Sequence, residues 1–159
     1  MDMDAILEKV TGIFAGLENG PASPDTGALI EKATTIAKVL VIAGPVIMLV
    51  LGLLYLFAAP KEANHHFGYR CYFGMGSVNA WRFTQRLAGI VFGSLGLILG
   101  IVMLLTVASF RQMALDAMVW KAAKCLGWEA GLALLAHVGV TVTAMVIFDR
   151  KGNYRRKKK

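Results

Sequence analysis

Three apolar runs decide what this chain can become: Ile36 to Ala59, Leu87 to Ala108, and residues 130–148. Each approaches or exceeds the roughly 20 residues that an α-helix needs to cross a bilayer. In hydrocarbon the backbone must satisfy its own hydrogen bonds, so such runs fold as helices and not as irregular chain. Hydrophobic residues make up 57% of the chain, well above the roughly 45–50% of a soluble domain, and exclude that class. The opening Met1, Asp2, Met3, Asp4 has none of the Lys or Arg that leads a cleavable signal, so the first run reads as a retained span. Cys71 and Cys125 fall in different connections, which three crossings put on opposite sides; no disulfide between them is expected.

The segments around these runs complete an all-α integral membrane protein. Ile6, Leu7, Val10, Ile13, Phe14 and Leu17 recur at helical spacing among Asp4, Glu8, Lys9 and Glu18. They predict an amphipathic helix on the membrane surface or against the bundle. The breaker cluster Asn19 to Gly27 ends it, so residues 1–27 form one unit. Residues 28–148 form the membrane domain, with a polar loop over 60–86, and residues 149–159 a basic tail. Gly44-Pro45 predicts a kink in the first span. Gly89, Gly93, Gly96 and Gly100 make a small-residue stripe on the second, suited to close helix contact within the bundle or between copies in a homo-oligomer. Ser109 to Trp128 alternates polar and apolar residues and predicts a separate interfacial helix between spans two and three, with Trp120 and Trp128 at headgroup depth.

Charge sets the expected orientation. Lys61, Arg70, Arg82 and Arg86 outweigh Glu62 in the first loop, the tail holds Arg150, Lys151, Arg155, Arg156 and Lys157 to Lys159, and the segment before the first span is acidic. The positive-inside rule then puts the N-terminus outside and the C-terminus in the cytoplasm. A basic tail directly after a span is a topology signal that also attracts anionic lipid, so no nucleic-acid partner is expected.

The stretch from Asn64 to Gly89 is the one polar segment written for more than solubility. His65, His66 and Cys71 lack a fourth ligand at zinc spacing, and Cys71 has no orienting carboxylate nearby. Gly68, Gly74 and Gly76 do not space as a phosphate loop. No catalytic residue, metal or cofactor is expected. Arg70 and Arg82 can grip phosphate or carboxylate by paired hydrogen bonds, Ser77 can cap a helix starting near Val78, and Trp81 and Tyr72 can lie flat at the interface. Equally open is a rigid clip without a ligand, Asn64 and Arg70 tying the loop's ends together. In the third span His137 is an intramembrane ionisable group and joins the binding candidates.

Asn64, then Gly68-Tyr69-Arg70, Ser77, Asn79 near Trp81, and Arg86 to Gly89 opening an apolar helix together resemble the SdpI-like family of small bacterial membrane proteins. Cys71 stands where that family usually has Thr, and Gln85 or Arg86 where it often has Asn. The resemblance implies immunity to a membrane-acting peptide toxin at the bacterial cytoplasmic membrane, by binding or signalling and without catalysis. Asn64, Gly68, Tyr69, Arg70 and Trp81 are the residues expected to carry it, with Ser77, Arg82 and His137 as further candidates. Membrane lipids, a peptide toxin or a membrane protein are the expected partners. Two other readings stand beside it: a small transporter or lipid-handling protein using His137 and the Pro45 kink, and a helical subunit of a larger membrane complex.

Overall fold

Each apolar run becomes one long helix. The computed structural model describes residues 8–13, 15–16, 24–63 and 66–155. The helices are α1 (Pro24–Leu53), α2 (Val78–Ala108) and α3 (Leu115–Ile147). A π-helical turn, Leu54–Ala58, extends α1, and a 3-10 turn, Ser109–Gln112, extends α2. The stretches Gly27–Ala58, Val78–Gln112 and Leu115–Ile147 are all long and apolar enough to cross a membrane. At 1.5 Å per residue each is about 50 Å long against a hydrocarbon core of about 30 Å, so the end turns reach the headgroup region.

One expectation is corrected. Ser109 to Trp128 does not form a separate interfacial helix: after the 3-10 turn and Met113-Ala114, the chain enters α3 and continues unbroken to Ile147. No proline interrupts it, and single glycines such as Gly127 and Gly131 each cost only about 1 kcal/mol in a helix. The apolar face of the segment also has a protein partner. Leu115, Met118 and Ala122 are buried in one cluster with Val41, Met103 and Phe110, so the bundle covers what a membrane surface was expected to cover. At the N-terminus, residues 8–13 and 15–16 are helical. The rest of the expected amphipathic helix lies outside the described residues.

α1 and α2 approach closely enough for backbones to touch. A β-carbon on Gly52 would collide with the backbone of Gly93, and one on Gly96 with Leu49 N and, at 2.8 Å, with Pro45 O. A β-carbon on Gly89 would meet Leu56 and, at 3.0 Å, Gly52 O. At Gly93 and Gly100 an added carbon meets only ordinary contacts, near 3.8 and 3.9 Å. The stripe therefore seats α1 within the bundle, chiefly through Gly89 and Gly96, with Gly52 as the partner on the opposite helix.

Outward faces carry Ile98, Leu105, Leu135 and Val146, all exposed. In water such a belt would be a large apolar patch; in lipid it needs no cover. The chain reads as a multi-pass membrane protein. A second buried cluster, Tyr69, Cys71, Ala88, Val140 and Ala144, lies where the 60–77 connection meets α2 and α3.

Candidate functional site

The 60–77 connection and the terminal residues 148–155 fold together as a cap on one end of the bundle. Ser77 fixes the start of α2: its hydroxyl accepts from Ala80 N at 3.1 Å and donates to Gly152 O at 2.7 Å. One side chain thus caps the helix and ties the terminal turn to it. Gly76 and Gly152 meet backbone to backbone, and Gly152 has φ +75°, where other residues are strained. The turn itself is wound around Asp149, whose Oδ1 accepts from Lys151 N and Asn153 N, both at 2.8 Å. The Asn153 amide, first among these bonds, and then the Lys151 amide hold the Asp149 carboxyl below its ordinary range. Phe148 joins the turn to α2 by an edge contact with Phe83, centroids 5.5 Å apart.

Tyr69 is held from two directions. Gln85, buried on α2, receives Tyr69 N–H on Oε1 at 2.8 Å and donates Nε2–H to Tyr69 O at 2.7 Å. The amide pairs with the loop backbone as a neighbouring strand would, satisfying both polar groups of a buried residue. On the far side the Tyr69 hydroxyl lies 2.9 Å from His137 Nδ1, 2.9 Å from His137 O and 3.1 Å from Thr141 Oγ1. The phenol has one proton, so when it goes to the carbonyl the imidazole must supply an Nδ1–H. His137 is exposed on α3 and makes this contact from the bundle's outer side. Burial raises the phenol above its ordinary value near 10, with the Thr141 bond opposing it.

Gly68 makes this seat reachable. Its φ is +113°, and a β-carbon there would strike Trp81 Cζ2 at 2.7 Å. Trp81 is fully buried, 0% exposed, with Nε1 donating to Pro60 O at 2.8 Å. It does not lie flat at the surface as expected, because the loop folds over it; Tyr72 is exposed, at 69%. Cys71 is also turned inward, and its Sγ accepts from Gly74 N at 3.3 Å. Burial pushes its thiol up from its ordinary value.

What the cap turns outward is basic. Arg70 is exposed. Arg82 is exposed and donates Nε–H to Lys61 O at 3.3 Å. Lys61, Arg82 and Arg86 line a cleft of about 170 Å³ with Tyr55, Pro60 and Gln85, and among the described residues no acid lines it. Such a cleft can hold a phosphate or carboxylate group. Asn64 and His65 lie outside the described residues. Thus Gly68, Tyr69, Ser77, Trp81 and His137 come together as the frame of the cap, and Arg70 and Arg82 lie on its outer face.

Two polar residues were missed from sequence. Gln85 was weighed only as a departure from the SdpI-like pattern; its signal is an amide one turn beyond Trp81 at the entry to an apolar helix. Glu129 stands in the sequence just before the 130–148 run. It is 3% exposed, packed against Gly44 of α1, and its Oε1 has no hydrogen-bond partner. No family model, curated protein or solved structure matches the chain.

Proposed function

We propose that this is a non-catalytic protein of the bacterial cytoplasmic membrane that protects the cell against a membrane-acting peptide toxin, as its resemblance to the SdpI-like family implies. The observation that carries the reading is the division of labour in the cap. The motif residues Gly68, Tyr69 and Trp81 hold the loop, while Lys61, Arg82 and Arg86 line a small cleft and Arg70 is exposed elsewhere on the same cap. That is the build of a recognition surface for an anionic group, on a peptide, a partner protein or a lipid headgroup. On the positive-inside rule the cap and tail face the cytoplasm, so protection acts from the inner leaflet.

Expression of wild type and Arg70→Ala at matched membrane levels in a sensitive bacterium, followed by challenge with membrane-active peptides, tests the proposal. Wild type protects and Arg70→Ala loses at least tenfold in protection; equal survival with and without the wild-type protein contradicts it. In the same cells, Tyr72→Cys should react with an impermeant maleimide only in inverted vesicles. A second reading, transport of a small molecule, is favoured by Glu129 alone, a buried acid between two spans.

A further inference from the structure

Glu129 stands where α3 meets the Gly44-Pro45 segment of α1. Its carboxyl occupies the space of the missing Gly44 side chain: a β-carbon there would collide with Oε2 and fall 3.1 Å from Cδ. The other oxygen, Oε1, is shut off from solvent and has no hydrogen-bond partner. Lys121, about two turns earlier on the same helix, does not reach it; its Nζ donates to Ser109 Oγ at 2.9 Å and lies 3.9 Å from Met113 Sδ. Cys125 is the titratable residue one turn before it. A buried acid left in this way is costly, and in a membrane bundle such groups mark ligand or ion sites.

An apolar groove of about 370 Å³ runs between the same two helices, lined by Ala33, Ala37 and Leu40 of α1 and Val119, Ala122 and Leu126 of α3 among others. Both walls continue at helical spacing to the buried pair: Leu40 is one turn from Gly44, and Leu126 one turn from Glu129. An apolar groove of this size with an unpartnered acid one turn beyond its walls has the composition of a small-molecule site. We propose that it binds a lipophilic organic cation, an ammonium carried on an apolar body, with the body in the groove and Glu129 as counter-ion. A guest with no proton to donate would leave Oε1 without a partner; an ammonium supplies both the hydrogen bond and the opposite charge. Binding requires the carboxyl to turn from Gly44 into the groove's end. The groove opens on the outer side between α1 and α3, with Leu40 and Leu126 exposed in it, and the site does not depend on the protection reading.

The test uses the full chain in lipid nanodiscs, with 4-phenylbutylamine as probe and 4-phenylbutan-1-ol as its uncharged counterpart, measured by equilibrium dialysis against empty nanodiscs. Wild type binds the amine at least tenfold more tightly than Glu129→Gln, and Leu126→Trp, which fills the groove, loses binding to a similar degree. The alcohol does not distinguish wild type from Glu129→Gln. Equal amine affinity in wild type and Glu129→Gln, or a tenfold preference for the alcohol's wild-type complex over its Glu129→Gln complex, overturns the assignment. Should either variant fail to fold, labelling of wild-type Glu129 by dicyclohexylcarbodiimide decides: the amine slows it if the site exists, and an unchanged rate overturns the proposal.

Discussion

At the scale of single residues, the cap is a set of polar groups that answer one another. Tyr69 is the centre, with its backbone on Gln85 and its hydroxyl between His137 and Thr141. Because burial raises the phenol above about 10, the neutral form is the one the fold stabilises. For a raised value that contribution is fully present below the unfolded value near pH 10, and is lost as pH rises through the folded one. Thermal unfolding of the detergent-solubilised protein between about pH 8 and 11 should therefore show a steeper loss of stability above pH 10 in wild type than in Tyr69→Phe. Parallel curves would remove the tyrosine from the account. Gln85 was not legible beforehand because nothing local marks it. Its partner is sixteen positions away in sequence, and only the folded loop brings Tyr69's backbone to it. Glu129 hid for a related reason: an acid at the edge of an apolar run looks like the start of a span until the helix proves to continue through it.

At the scale of elements, the spans were readable because bilayer thickness and backbone hydrogen bonding leave few options for long apolar runs. The division between the expected interfacial helix and α3 was not readable, because periodicity cannot tell an apolar face covered by lipid from one covered by Val41 and Met103. The glycine stripe could be seen on α2, but its partner Gly52 could not, since no pattern on α1 announces it. The contact makes a differential prediction. Gly52→Val drives a side chain into the Gly93 backbone and should cost about 3 kcal/mol or more. Gly93→Ala meets Gly52 Cα only at 3.8 Å, and should change stability by less than about 1 kcal/mol. Melting of the two variants beside wild type in one detergent measures this; equal losses would mean that α1 and α2 do not meet at Gly52.

At the scale of the whole molecule, three crossings bring the first connection and the chain's last turn to the same end, where Ser77 and Gly152 join them. The result is a bundle with an apolar exterior, closed at one end by a cap whose buried polar groups are paired within an apolar cluster and whose outer face carries Lys61, Arg70, Arg82 and Arg86. In this cap Arg82 is tied to the loop through Lys61 O. The claim on which this rests is that residues 66–77 are locked to α2 and do not hang as an open loop. Hydrogen exchange in nanodiscs tests it most directly, comparing wild type with Gln85→Leu. The Tyr69 amide should be strongly protected in wild type. It should exchange at least tenfold faster in the variant, which leaves a buried N–H and C=O unpaired at about 1–3 kcal/mol each, while the three spans remain protected. Unprotected exchange across 66–77 in wild type, or a Tyr69 amide indifferent to Gln85, would contradict the account.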